Sequence, residues 1–207
     1  MHISEGVLNW PVLAGGAAIA VLGVYVGLKK LDTSRIPQTA IMASAFFVAS
    51  LIHVPIGPAS MHLLLNGLMG IVLGWACIPA ILVALVLQAL LFQFGGLTVL
   101  GVNTIIMAFP ALACGLVFQC FPNRSPRQVA GLSFILGSAA VLGSALLAAA
   151  ALTLSGQAFI NAARLLVLAH LPVSGIEGII TAVAASFIYR IKPEILPLRE
   201  RTHAQNI

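Results

Sequence analysis

The chain has 207 residues, of which 60% are hydrophobic and only 7% carry a charged side chain. Soluble domains contain about 45–50% apolar and about 25% charged residues, so this composition excludes both a soluble globular protein and a disordered one. The net charge of +5 comes from ten Lys and Arg against five Asp and Glu, and the positions of these charges carry more information than their sum.

Seven apolar segments follow one another along the chain, and each approaches the roughly 20 residues that a helix needs to cross a bilayer. The whole chain, 1–207, is therefore predicted to be a single all-α polytopic membrane domain. An internal proline, Pro110, predicts a kink in the fifth segment. The predicted spans are 10–28, 36–54, 61–77, 79–94, 104–121, 129–154 and 172–191.

The stretch 157–170 precedes the last span and has a helical pattern with Asn161 and Arg164 on one side. It is predicted to be an interfacial or re-entrant helix that is separate from the last span. Because short apolar segments can be counted in more than one way, totals of six or eight spans stay open at this point.

Nine of the ten Lys and Arg residues fall on one side of a seven-span arrangement. They lie in the loop 29–35, in the loop 124–127 and in the region that begins at Arg190, and only Arg164 lies on the other side. The positive-inside rule assigns the basic side to the cytoplasm. The N-terminus is therefore predicted to be outside the cell, and the tail 193–207 is predicted to be cytoplasmic.

The predicted outer face collects polar residues at one end of an otherwise apolar bundle. It comprises 1–9, 53–62, 95–104 and 155–177, and it contains four of the five histidines, all except His203. Such clustering indicates a functional site, because polar groups are costly within a membrane unless they serve a purpose.

The first two residues form a pattern that suits a transition metal. No positive residue precedes the first apolar run, so no signal peptide is expected and the initiating methionine should remain. The α-amine of Met1, the amide nitrogen of His2 and the imidazole Nδ1 of His2 can then chelate one ion in a plane. Nickel, copper and to a lesser extent cobalt can deprotonate that amide, and His62 is the best candidate for a fourth in-plane nitrogen. Zinc prefers a tetrahedron and is disfavoured.

Other polar residues of this face are predicted to line or support the site. Asn66 follows His62 by one helical turn, and His53 begins the same turn of the chain. Asn103 and Glu177 lie near the outer starts of two predicted spans. Each of these residues also has a structural interpretation, because polar groups at membrane depth must find hydrogen-bond partners.

The sequence contains neither a GxxxxGK[ST] phosphate loop nor an HExxH motif, so ATP hydrolysis by that route is excluded. An intramembrane hydrolase that uses the outer histidines stays open as an alternative, with Ser60, His62 and His170 on one side. A hydrolase keeps an open metal position for water, whereas a capture site surrounds the ion with protein nitrogen. A passive channel would need polar residues along the whole bundle, and here they concentrate at one end.

Several stretches resemble motifs of the CbiM/NikM family, the cobalt and nickel capture subunits of energy-coupling-factor transporters. The start, MHISEG, resembles the MHIxxG opening of that family, and PASMHLLLNGLMG at 58–70 is similar to its second histidine motif. GGLTVLGVNT at 95–104 resembles its GGLTxLGxN loop. IEG at 176–178 and KPE at 192–194 match its C-terminal pattern, so the resemblance covers essentially the whole chain.

The resemblance implies a seven-span, non-enzymatic subunit of a prokaryotic plasma membrane, with its N-terminus outside. Ni²⁺ or Co²⁺ is then the transported substrate, for example for cobalamin biosynthesis, and no prosthetic group is expected. The implied ligands are the α-amine of Met1, the backbone nitrogen and side chain of His2, and His62. Some family members carry TxGH or SHPTG where this chain has Ser-Met-His. This difference leaves the choice between cobalt and nickel as the transported metal open.

The resemblance also implies partners. They are a transmembrane coupling subunit and two cytoplasmic ATPase subunits, and a small accessory membrane subunit is compatible with it. The surrounding lipid is the remaining partner, and no nucleic acid is expected.

Overall fold

The computed structural model describes residues 2–56, 59–121 and 125–197, and within 53–62 it describes the backbone alone. The prediction of an all-α membrane fold is confirmed, because helices make up most of the described residues and their strands form one short hairpin. The helices are α1 (Trp10–Lys29), α2 (Ile36–Ala49), α3 (Asn66–Leu73), α4 (Cys77–Phe92), α5 (Leu100–Gln119), α6 (Pro126–Ser155) and α7 (Ile160–Ile191), and the strands are β1 (His53–Ile56) and β2 (Ala59–His62).

Local sequence explains where the helices begin. The side chain of Asn9 accepts a hydrogen bond from the N–H of Val12 at 3.2 Å, which caps α1, and a proline follows in the first turn. Ser125 and Gln128 form a reciprocal capping box at the start of α6. These signals are readable in the sequence, and both helices begin within a few residues of their predicted starts.

The bundle has two distinct ends. The N-terminal face is the end that contains residues 2–9, 93–99 and 154–159, where Asn9 donates from its Nδ2 to the carbonyl of Leu154 at 3.0 Å. The basic face is the opposite end, where the ammonium group of Lys30 lies 4.1 Å from the ring centroid of Trp75. The positive-inside rule predicts that the basic face is cytoplasmic.

Small residues allow the central helices to approach closely. A Cβ atom at Gly70 would overlap the backbone of Ala111 in α5, and one at Gly67 would lie 2.7 Å from the Cα of Gly137 in α6. All eight residues of α3 are buried as a result. Glycine at such positions is typical of membrane helix packing, which relies on close van der Waals contact.

The small pair Gly23 and Gly27 of α1 also serves packing within the chain. A Cβ atom at Gly27 would lie 2.7 Å from the Cδ of Pro79, and one at Gly23 would lie 3.5 Å from the side chain of Ile78. This face of α1 is therefore covered by α4.

Two predicted spans differ from the structure. The second was predicted to reach residue 54, but α2 ends at Ala49. The third was predicted as a helix over 61–77, but the chain first forms the β1–β2 hairpin, and α3 has only eight residues. The prolines at 55 and 58 lack the N–H that a helix requires, and Gly74, with φ 56°, ends α3.

The chain reverses direction between α3 and α4. Residues 74–76 lie at the basic face beside Lys30, and α4 then runs back until Phe92 packs against Phe47 of α2, with ring centroids 5.6 Å apart. Five stretches of the described residues are long and apolar enough to cross a membrane, and 66–92 is counted among them as one. Seven crossings with the N-terminus outside therefore stay a prediction.

The prediction of a separate interfacial helix over 157–170 is wrong. Residues 157–159 form one turn of 3₁₀ helix, and α7 then continues through Pro172 to Ile191. A proline usually marks a helix boundary, but within a membrane protein the helix continues because neighbouring groups satisfy the freed backbone. The imidazole of His170 contacts the carbonyl of Leu166 at 2.7 Å in this turn.

We predict that Gly70→Ala prevents folding of the bundle, because the added methyl group has no space against the backbone of Ala111. Gly15→Ala is the matched control, since a Cβ atom there would meet nothing within 4 Å. Size-exclusion profiles and thermal unfolding in detergent measure the difference. A Gly70→Ala protein as stable as Gly15→Ala would contradict the close contact between α3 and α5.

Candidate metal centre

The N-terminal segment, residues 2–9, is part of the folded bundle rather than a free tail. Ile3 and Leu8 are apolar and belong to the core, with only 5% and 7% of their surface exposed. Their burial fixes the segment against the start of α5 and the loop that precedes it. The predicted ligand His2 therefore lies at a defined place on the N-terminal face.

The amide side chain of Asn103 holds the backbone of this segment. The N–H of Ile3 donates to Oδ1 of Asn103 at 3.1 Å, and Nδ2 of Asn103 donates to the carbonyl of Ile3 at 3.1 Å. Asn103 lies in the first turn of α5 and is buried. The predicted supporting residue Asn103 therefore fixes the peptide group adjacent to His2.

The loop 93–99 contacts the N-terminal segment from the other side. The N–H of Glu5 donates to the carbonyl of Gly95 at 3.2 Å, and its carboxylate accepts bonds from the N–H and hydroxyl of Thr98 at 3.0 and 3.2 Å. The bonds from the N–H and hydroxyl of Thr98 lower the pKa of the Glu5 carboxyl below its ordinary value. Glu5 therefore favours docking above its unfolded-state pKa, and that contribution is lost as the pH falls through the lowered value.

Two glycines make room for the docked segment. A Cβ atom at Gly95, where φ is 77°, would lie 2.8 Å from Nδ2 of Asn103 and 3.6 Å from Cβ of His2. A side chain at Gly96, where φ is 133°, would overlap the side chain of Glu5. Both the left-handed backbone and the lack of space therefore require glycine here.

The imidazole of His2 is neutral in this environment. It is mostly buried and stacks on the ring of Phe94, with centroids 5.9 Å apart and planes 24° apart. Burial, with a smaller contribution from the charge of the N-terminus, lowers the pKa of His2 to about 3. The ring is therefore deprotonated at physiological pH, which is the form that binds metals.

The hairpin places the other predicted histidines on adjacent strands. β1 and β2 are antiparallel, and in their register His53 is directly opposite His62. The predicted ligand and its predicted neighbour are thus paired through the backbone. The side chains of 53–62 lie outside the described part of the structure, as do Met1 and His203.

A buried carboxylate anchors the chain just after the hairpin. Glu177 of α7, with 1% of its surface exposed, accepts hydrogen bonds from the N–H groups of Leu64 and Leu65. These N–H groups precede α3, so the carboxylate caps a helix N-terminus, where negative charge is favoured. Glu177 was predicted to need a hydrogen-bond partner at membrane depth, and the backbone N–H groups of Leu64 and Leu65 are that partner.

Asn66 serves the packing of α3 in the described structure. Its Nδ2 donates to the hydroxyl of Ser144 at 2.8 Å and to the carbonyl of Ala140 at 3.3 Å, both in α6. The structure therefore groups the predicted residues in two places. His2 and Asn103 meet on the N-terminal face, whereas Asn66 and Glu177 hold the beginning of α3.

A site made of side chains alone is not present among the described residues, which contain no group of three His, Cys, Asp or Glu suited to a metal. The roles of Glu5, Phe94 and Thr98 were not predicted from the sequence. The sequence signals available for them were Glu5, an acidic residue near the chain start, and Thr98 in the GGLT loop.

Comparisons with known proteins decide the family. Residues 2–195 match the family model described as the cobalt uptake substrate-specific transmembrane region, CbiM. The chain belongs to the CbiM family. It is therefore a cobalt/nickel transport component of CbiM/NikM type, and its family consists of multi-pass membrane proteins of prokaryotes. The family is not one of enzymes, and nothing supports the hydrolase alternative.

Individual CbiM relatives extend over nearly the same length. A Haemophilus influenzae protein named for metal transport is 43% identical over 202 residues, which cover 95% of this chain and 97% of that protein. The cobalt transport protein CbiM of Sorangium cellulosum is 30% identical and covered to 94%, with 95% of this chain matched. A crystal structure of a transition metal transporter has a TM-score of 0.74 at 28% identity, with 92% of this chain and 93% of that chain covered.

We predict that Asn103→Leu releases the N-terminal segment while the helices stay folded. The change leaves the N–H and carbonyl of Ile3 unpaired, at a cost of about 1–3 kcal/mol for each buried group. Amide hydrogen exchange at residues 3–8 should accelerate strongly. Asn161→Leu, at an exposed position of α7, is the control and should leave this exchange unchanged. Equal protection in both variants would show that Asn103 does not hold the segment.

Proposed function

We propose that this protein captures Ni²⁺ or Co²⁺ at the outer face of the plasma membrane, as the substrate-specific subunit of an energy-coupling-factor transporter. The observation that carries the proposal is the docked N-terminal segment, in which His2 follows the chain start and precedes a backbone held by Asn103. The docking holds the peptide group adjacent to His2 at a fixed place, as a preorganised metal ligand requires.

The proposed ligands are four nitrogens. They are the α-amine of Met1, the backbone nitrogen and Nδ1 of His2, and the imidazole of His62. Support comes from the neutral imidazole of His2 and from the anchoring of the chain after His62 by Glu177. His53, opposite His62 in the hairpin, is proposed to orient it, and such neighbours change metal affinity by about 10–100-fold.

A planar arrangement of nitrogen ligands favours Ni²⁺ and disfavours tetrahedral Zn²⁺. The names of the relatives include both nickel and cobalt. The fused nickel transport protein NikMN of Rhodobacter capsulatus is 32% identical, and this chain covers 65% of it. We therefore propose Ni²⁺ and Co²⁺ together as the substrate class.

Transport against a gradient requires partners, because the sequence lacks a phosphate loop for ATP. A fused CbiMQ protein of Methanocorpusculum labreanum is 29% identical to this chain, which covers 36% of its length, so a CbiM-type region occurs there joined to a second component. We infer a transmembrane coupling subunit and two cytoplasmic ATPases, and a small accessory membrane subunit is compatible with this assembly.

We predict that an uncleaved N-terminal tag abolishes binding of Ni²⁺ and Co²⁺ without unfolding the protein. The tag converts the α-amine of Met1 into an amide, which removes a basic lone pair from the chelate. Isothermal titration calorimetry measures binding, and a C-terminal tag is the matched control with full affinity expected. Equal binding by both tagged proteins would contradict the Met1–His2 chelate and would indicate an ordinary imidazole site instead.

We also predict that the capture site faces outward. In a background without native cysteines, Ser4→Cys should react with an impermeant maleimide in intact cells, because Ser4 is exposed on the N-terminal face. Thr33→Cys, exposed on the basic face, should react only after the cells are permeabilised. The reverse pattern would contradict capture from outside.

A further inference from the structure

Gln88 carries a buried amide that the fold leaves without hydrogen bonds. It lies on the inward face of α4, none of its surface is exposed, and neither Nε2 nor Oε1 has a partner among the described residues. An unpaired amide is costly in a protein interior, because burial removes the water molecules that would otherwise bond to it. Packing alone therefore does not account for a glutamine at this position.

The backbone of Gln88 is linked to the ring of His2 through Phe94. The N–H of Phe94 donates to the backbone carbonyl of Gln88 at 3.3 Å, and the ring of Phe94 stacks on the imidazole of His2. The end of α4 is thus joined, through Phe94, to the place where the N-terminal segment docks.

The helix geometry places Gln88 in the same layer of the bundle. The Sγ of Cys77 contacts the carbonyl of Ala108 at 3.8 Å, which sets the level of α4 against α5. From Cys77 to Gln88 the helix rises about 16 Å, whereas only about 12 Å of α5 separate Ala108 from Leu100. Because α4 runs toward the N-terminal face, where α5 begins, Gln88 is level with the loop 93–99.

We propose that Gln88 is a positioning and selectivity residue of the capture site. Its Oε1 would accept a hydrogen bond from a water molecule that the captured ion retains. This inference rests on the proposed function, since it requires the ion to bind beside His2. The amide is unpaired without the ion because its partner enters with the ion.

The two candidate ions differ in their need for that water. A planar set of nitrogen ligands leaves the positions above and below the plane open. Ni²⁺ in a square-planar field leaves them empty, whereas Co²⁺ tends to fill them with further ligands. A neutral oxygen acceptor suits a water whose O–H bonds are polarised by a cation. Gln88 therefore assists binding of Co²⁺ more than binding of Ni²⁺.

The test compares Gln88→Met with Thr181→Val in the full chain with its native N-terminus. The hydroxyl of Thr181 is also fully buried and lacks a partner among the described residues, but it lies between α6 and α7 against Gly137. Each substitution removes an unpaired polar group and keeps a similar volume. Both should therefore raise the unfolding temperature of the ion-free protein by about 2–4 °C.

Only Gln88→Met should alter the binding of the ion. We expect its affinity for Co²⁺ to fall by about 10–100-fold, with a smaller loss for Ni²⁺, and the visible absorption of bound Co²⁺ to shift. Thr181→Val should bind both ions as the parent does.

Distinct outcomes separate this inference from the proposed function. A Gln88→Met protein that unfolds at a lower temperature, or that binds Co²⁺ with parental affinity and spectrum, overturns the role of Gln88. An equal loss of Co²⁺ binding in Thr181→Val also overturns it. If the parent protein itself binds neither ion, the proposed function fails instead.

Discussion

The arrangement of the N-terminal face depends on the pairing of the Ile3 backbone with the side chain of Asn103. Peptide groups that leave water must keep hydrogen bonds, and a side-chain amide donates and accepts side by side as another peptide group would. This pairing, with the bonds of Glu5 to Gly95 and Thr98, makes the chain start part of the core. The position of His2 follows from it.

A second constraint arises where the chain re-enters the bundle after the hairpin. The N–H groups before α3 are buried and need an acceptor, which Glu177 supplies from α7. The Glu177 side chain in turn keeps hydrogen bonds inside an apolar bundle, where an unpaired polar group would be costly. Long helices thus hold the N-terminal segment, through Asn103 of α5, and the chain that follows the hairpin, through Glu177 of α7. Sites supported in this way keep their ligands in place before the ion arrives.

The sequence predicts α1 and α4 to α6 well because apolar length dominates their formation. It does not predict α3, since hydropathy cannot distinguish a full span from a short helix whose start is capped by Glu177 at a distance of more than a hundred residues. The position of His2 suggests a chelate, but the partners of Glu5 and the unpaired amide of Gln88 emerge only from tertiary contacts. Pro172 misleads because its usual effect in water does not hold within a membrane.

Nitrogen atoms near the chain start are proposed to select the ion. The most direct measurement is metal analysis of purified protein with its native N-terminus after incubation with equimolar Ni²⁺, Co²⁺ and Zn²⁺, beside the His62→Ala variant. We predict that the protein retains Ni²⁺ or Co²⁺ in preference to Zn²⁺ and that His62→Ala loses most of the bound ion. Preferential retention of Zn²⁺, or unchanged binding by His62→Ala, would contradict it.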